Sequence, residues 1–174
     1  TTANMIIGML EKGYTQFLFV KSAGNGLNNA GEIGLDSCYS GFFASVCLLE
    51  NSDFWTEHGE GYTYEDIRDH IMIVGGMKRD RKGRHVDTGF NYGNDVDIYA
   101  PCREIYSTLG EANKNKYGKM SGTSMATPIV SGVICMILGI NKEMSNIQCK
   151  KLIRNTAIDL KMEGNRQGWG KINP

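Results

Sequence analysis

Apolar positions change their period several times along this chain, and each change marks an element. Met5, Ile6, Met9 and Leu10 fall at helical spacing, and Gly13 stands where a glycine commonly ends a helix. The run Phe17-Leu18-Phe19-Val20 has no such period and reads as a short buried strand. It is closed by Ser22-Ala23-Gly24-Asn25-Gly26, small residues that form a tight turn and present an asparagine. A helix feeding directly into a strand is the second half of a β-α-β unit, the unit from which parallel sheets are built. An α/β fold is therefore expected.

Further strands are predicted over Ile71-Met72-Ile73-Val74-Gly75-Gly76 and over Val96-Asp97-Ile98-Tyr99-Ala100-Pro101. From about Ser124 to Leu138 the chain is apolar nearly all round: Met125, Ala126, Ile129, Val130, Val133, Ile134, Met136, Ile137 and Leu138. A helix without a polar face is buried in a larger core, and Cys135 within it is expected to act as a small buried hydrophobe. Ser145-Asn146-Ile147-Gln148 is a capping box, opening a second helix with Ile147, Leu152, Ile153 and Thr156 on its inward face. Ser40 to Leu49 fits either a strand or a buried helix. Asn51 to Asp69 is polar and acidic and contains His58, with His70 just beyond. Residues 45–70 are expected to form a peripheral, solvated insertion. The basic run from Lys78 to His85 predicts a solvated hairpin tip between two strands.

Composition narrows the class more than it names it. At 174 residues the chain is long enough for one domain with a sizeable core. Its 19 basic and 19 acidic residues cancel, which gives no footprint for nucleic acid. No continuous apolar run approaches a membrane span, and the first residues, Thr1-Thr2-Ala3-Asn4, lack the pattern of a signal peptide. Five cysteines (Cys38, Cys47, Cys102, Cys135 and Cys149) with no Cys-x-x-Cys pair suit neither a disulfide scaffold nor zinc.

The candidate chemistry is concentrated in Gly122-Thr123-Ser124-Met125-Ala126-Thr127-Pro128. A serine at the mouth of a long apolar helix lies where unpaired N–H groups and the helix dipole favour developing negative charge. With small neighbours on both sides, a substrate backbone can approach it. Gly24-x-Gly26 lacks the third glycine of a dinucleotide loop, and Gly118-Lys119 is followed by Met120, so phosphate-binding loops are excluded. The serine also lacks the Gly-x-Ser-x-Gly of a nucleophile elbow.

The stretch from Gly122 to Pro128 resembles the nucleophile segment of the subtilisin-like serine proteases. Ser22-Ala23-Gly24-Asn25-Gly26, the strand ending in Ala100-Pro101 and the closing Gly168-Trp169-Gly170-Lys171-Ile172-Asn173-Pro174 resemble further family segments in the required order. The resemblance implies a three-layer α/β fold with a mostly parallel sheet and a central buried helix carrying the nucleophile at its N-terminus. It implies Ser124 as nucleophile, Asn25 as oxyanion-hole amide, and Ser22, Ala23 and Gly24 as one wall of the substrate pocket. Family triads run Asp, His, Ser along the chain, yet no residue before Asn25 is Asp or His; His58, His70 and His85 all follow it. The chain thus looks like the C-terminal portion of a peptidase domain, inactive alone, with its general base on an N-terminal half in the same precursor or another chain. The resemblance further implies a peptide or protein substrate, leans towards an extracellular or cell-surface site and allows calcium, although no ligands are identifiable and no other cofactor is expected. Cys102 departs from it, since glycine usually follows Ala-Pro there. A non-catalytic, peptide-binding pseudoprotease is the alternative, because strand addition needs no triad.

Overall fold

The computed structural model describes residues 2–25, 61–79, 85–86, 89–93, 96–110, 116–161 and 168–174. In chain order these form α1 (Thr2–Glu11), β1 (Phe19–Ser22), α2 (Tyr64–Asp69), β2 (Ile71–Arg79) and β3 (His85–Val86). There follow β4 (Ile98–Pro101), β5 (Ile105–Thr108), β6 (Tyr117–Met120), α3 (Thr123–Ile140) and α4 (Asn146–Thr156).

Strands β1, β2 and β4 make a parallel sheet with β2 in the centre: Phe19 pairs with Ile71 and Ser22 with Val74, while Val74 pairs with Ile98 and Met77 with Pro101. Alternation along β2 sorts its side chains onto two faces. Ile71 and Ile73 point to a layer containing Ile6 and Ile7 of α1 and Ile67 of α2. Met72 and Val74 point to the opposite layer, with Ala126, Val130, Val133 and Ile134 of α3 and Cys149 and Ile153 of α4. Helices therefore cover both faces, as a parallel sheet requires. Fully buried side chains such as Ile73, Ile98 and Val130 each contribute roughly 1.5–3 kcal/mol through removal from water. The end of β2 continues as an antiparallel pair with β3, Lys78 opposite Val86, which agrees with the expected hairpin. The tip of that hairpin lies outside the described residues.

Several local expectations are met by visible geometry. Gly13 follows α1 with φ 79° and donates to the Leu10 carbonyl at 2.9 Å. Ser145 caps α4 reciprocally with Gln148, each side chain accepting the other's backbone N–H. The inward face of α4 differs from the one expected: Asn146, Cys149, Lys150 and Ile153 are buried, whereas Ile147 and Leu152 are exposed. Polar Asn146 and Lys150 lie inside because each meets a partner there, the His70 ring and the Arg68 carbonyl. Cys135 is exposed, not buried, whereas Cys102 and Cys149 are buried. The described layers cover only one side of α3, and Cys135 lies on the other with Pro128, Gly132, Met136, Gly139 and Ile140, the last 89% exposed. By length and composition alone α3 would suit a membrane span, but its Ala126–Val130–Val133–Ile134 face is packed on the sheet. Of the stretch expected to be a peripheral insertion, residues 45–60 lie outside the described residues. Its end carries α2, whose Ile67 is fully buried in the core.

A buried polar cluster ties this core together. Arg68 on α2 pairs with Asp97 ahead of β4 at 2.5 Å, and Asp97 Oδ2 also accepts the Ile73 N–H at 2.7 Å. Lys150 donates from Nζ to the Arg68 carbonyl at 2.8 Å. Burial lowers the Lys150 pKa to about 8; Asp97 and Asp69 oppose the shift and Arg68 adds to it. The unfolded chain therefore binds the extra proton between about pH 8 and 10.5, and stability rises with pH across that window. Relative to Lys150→Met, the wild type should gain up to about 3 kcal/mol between those limits. Denaturant unfolding of both proteins at several pH values checks this; a difference constant with pH would contradict it.

Candidate active site

The site forms where the segment leaving β1 meets the segment between β6 and α3, whose strand pairs with β5 in a separate two-stranded sheet. After Ser22 the chain runs on with the Ala23 N–H donating to the Val74 carbonyl at 2.9 Å, then turns at Gly24, whose φ of 98° suits glycine. Asn91 holds this turn from the side: its Nδ2 donates to the Ala23 carbonyl at 2.9 Å and its backbone N–H to the Gly24 carbonyl at 3.1 Å. The other segment returns along β6, where the Gly122 N–H donates to the Cys102 carbonyl at 2.9 Å. Gly122 has φ 157° and ψ 161°, a backbone region that belongs essentially to glycine. A Cβ there would also lie 3.4 Å from Asn25 Nδ2.

Asn25 and the start of α3, 98 residues apart in sequence, are in direct contact. The Thr123 backbone N–H donates to Asn25 Oδ1 at 3.0 Å, and the Thr123 hydroxyl donates to the same oxygen at 3.1 Å. Gly122, the residue at the helix cap, makes no side-chain bond to the first turn. The amide oxygen of Asn25 therefore satisfies the first orphan N–H of α3 from outside the helix. Ser124 comes next. It is exposed, and its hydroxyl has no partner among the described residues. Its backbone N–H lies in the first turn, where a helix supplies no acceptor. Asn25 Nδ2 likewise has no partner among the described residues.

Beside Ser124 opens a cavity of about 320 Å³, walled by Tyr106, Leu109 and Met120 of the β5–β6 hairpin and by Met125 and Pro128 of α3. Ser22, Ala23 and Gly24 do not line it. Ser22 is half-buried at the end of β1, and the Ala23 methyl is fully buried in the core. Gly24 instead donates its N–H to Thr123 Oγ1 at 3.2 Å. The structure thus brings Gly24, Asn25, Thr123 and Ser124 together, with Ser22 and Ala23 on the β1 side of Gly24.

His70, whose side chain is described, does not face Ser124. His70 is buried, stacked on Phe17 at 4.2 Å between ring centroids, with Nδ1 within 3.0 Å of the Phe17 carbonyl. Its carbonyl accepts the N–H of Phe19, the first residue of β1, whereas Asn25 follows the last. Four strand residues, roughly 13 Å, therefore separate the two ends. His58 and the side chain of His85 lie outside the described residues. Among the described residues no three His, Cys, Asp or Glu side chains are grouped to hold a metal ion. The buried Asp97 carboxylate is already taken by Arg68 and the Ile73 N–H, so calcium finds no fit there. Cys102 needs no left-handed backbone: positive φ falls at Glu104 (51°), and the buried thiol donates to the Met77 carbonyl at 3.4 Å. Sequence reasoning missed two supports, the Thr123 hydroxyl and Asn91. Thr123 stood inside the motif as a small neighbour, and nothing local in Phe90-Asn91-Tyr92-Gly93 signals a clamp on a turn 68 residues earlier.

A family model described as the subtilase family matches residues 2–170. The chain belongs to the subtilase family. Among curated subtilase relatives, the halolysin-like extracellular serine protease Nep of Natrialba magadii is 27% identical over 117 residues, covering 67% of this chain and 20% of Nep. The major intracellular serine protease of Bacillus subtilis (strain 168) is 35% identical over 98 residues, which cover 56% of this chain and 29% of that protein. The fold matches a cold-adapted subtilisin-like serine proteinase with a TM-score of 0.60 at 23% identity, over 93% of this chain and 46% of the other. Subtilase cytotoxin SubAB matches with a TM-score of 0.67 at 22% identity, over 98% of this chain and 51% of the other. This subtilase chain therefore spans about half of these two solved structures and a smaller share of these curated relatives.

Proposed function

We propose that this chain is the nucleophile-bearing C-terminal portion of a serine endopeptidase domain. Ser124 attacks the scissile carbonyl, and Asn25 Nδ2 with the Ser124 backbone N–H receives the oxyanion. A histidine upstream of residue 1, or on a second chain, takes the Ser124 proton and passes it to the leaving amine; an aspartate orients that histidine. Water then attacks the acyl-enzyme, and its proton returns through the same histidine to Ser124. Ser22, Ala23 and Gly24 line one wall of the pocket for the substrate residue before the scissile bond, and the substrate is peptide or protein.

The observation that carries this reading is the contact of Asn25 with Thr123, which leaves two N–H donors without a partner among the described residues beside an exposed serine. The uncovered apolar side of α3 supports a further layer of chain against it. A pure peptide-binding role could use those donors but has no need of a serine hydroxyl beside them. In the completed domain, hydrolysis of an unfolded protein substrate is expected to vanish in Ser124→Ala while thermal unfolding is unchanged. Equal hydrolysis by both proteins would defeat the assignment.

A further inference from the structure

We infer that Arg103 makes the site selective for substrates with an acidic side chain on the leaving-group side of the scissile bond. The inference rests on the proteolytic reading above and names a substrate class for it.

Arg103 follows β4 and is exposed, with its guanidinium carbon 4.4 Å from the centroid of the Phe90 ring. Each member of this pair is tied to one of the two segments that meet at the site. On the Arg103 side, the Cys102 carbonyl accepts the Gly122 N–H at 2.9 Å, and the Glu104 N–H donates to the Ser121 hydroxyl at 2.9 Å. On the other side, Phe90 precedes Asn91, which holds the carbonyls of Ala23 and Gly24. Gly76 leaves room for the ring: a Cβ there would lie 3.1 Å from Phe90 and 2.7 Å from Cys102 Sγ. Stacking uses the face of a guanidinium, while its N–H donors point outward in its plane, where they match a carboxylate. The ring also holds the long side chain in place, so less freedom is lost when a carboxylate arrives. Sheet order gives the direction. β1 and β4 flank β2 on opposite sides, with Ser22–Gly24 at the end of β1 and Arg103 at the end of β4. Two strand spacings, roughly 10 Å, separate those ends. An extended substrate gains about 3.3 Å per residue. Running from the Ser22–Gly24 wall past Asn25 and Ser124, it reaches Arg103 roughly two to three residues later, beyond the scissile bond. Exposed Lys78 at the end of β2 adds positive charge on the same edge.

The test uses the completed protease domain and internally quenched peptides that differ only in carrying Glu, Gln or Lys at the second or third residue after the bond. Mass spectrometry confirms the point of cleavage. At one of the two positions, kcat/KM at low salt should be about tenfold higher for Glu than for Lys, with Gln between them. The contrast should shrink at high salt, as expected of an exposed ion pair. Arg103→Gln should reduce it to about twofold or less, and Arg103→Glu should invert it so that Lys is preferred. A Glu-to-Lys ratio near one in the wild type at both positions would overturn the inference. So would a ratio left unchanged in Arg103→Glu, or variants that slow the Glu, Gln and Lys peptides alike, the pattern of a purely structural residue. A wild-type domain with no Ser124-dependent cleavage of any of these peptides would instead overturn the proteolytic reading itself, and the inference with it.

Discussion

Purified alone, this chain is expected to hydrolyse peptide anilides more slowly than the completed protease domain by about 10⁶-fold in kcat, the scale of losing a triad base. The expectation follows from proton chemistry. A neutral serine hydroxyl is a weak nucleophile at neutral pH, and Ser124 has no base among the described residues. His70 is held by Phe17 and Asn146 at the far end of the sheet. Adding the upstream half of the domain should restore turnover, because α3 already presents Ser124 and keeps an uncovered apolar side for further chain. Steady-state assays of the chain with and without that half measure this. Rapid turnover by the 174-residue chain alone, lost in Ser124→Ala, would send the search for a base to His58 or His85. Tight peptide binding without turnover after completion would favour the pseudoprotease alternative.

The second large effect belongs to Asn25. In the completed domain Asn25→Ala should lower kcat by about 10²–10³, or roughly 2.7–4 kcal/mol, a magnitude taken from the equivalent experiment on subtilisin. KM should stay nearly constant, because the amide is useful mainly once negative charge has formed on the carbonyl oxygen. The substitution also removes the acceptor for the Thr123 N–H, so the start of α3 loses its external cap. Thermal unfolding separates the two consequences: a small loss of stability with a large loss of kcat is the expected pattern. An unchanged kcat would leave Asn25 with a capping role only.

Much of this architecture was legible in the sequence, since its strongest signals are local. The period-free strands, the capping box at Ser145–Gln148 and the glycine after α1 depend on neighbours a few residues away. The outer boundaries moved by one to three residues where pairing, not composition, decided them. β1 begins at Phe19 because Ile71 is its partner there, and β2 runs on to Arg79 because β3 pairs with its end. The inward face of α4 was misread for a different reason. Lys150 and Asn146 count as surface residues by type, and distant partners such as the Arg68 carbonyl and the His70 ring make their burial tolerable. Cys135 was misplaced because an apolar helix gives no sign of which side the sheet will cover. At the site, the motif residues Asn25 and Ser124 were readable as types. The hydrogen bonds that join their segments span 98 or 99 residues and have no local trace.

Covalent modification of Ser124 tests the central claim most directly. An organophosphorus reagent that phosphonylates activated serines is applied to the chain alone and to the chain completed by its upstream half, and the adduct is located by peptide mass spectrometry. The account predicts one adduct per completed domain, on Ser124, slowed in Asn25→Ala, and negligible modification of the chain alone over the same time. Modification at a different residue, or at Ser124 equally fast with and without the upstream half, would contradict it.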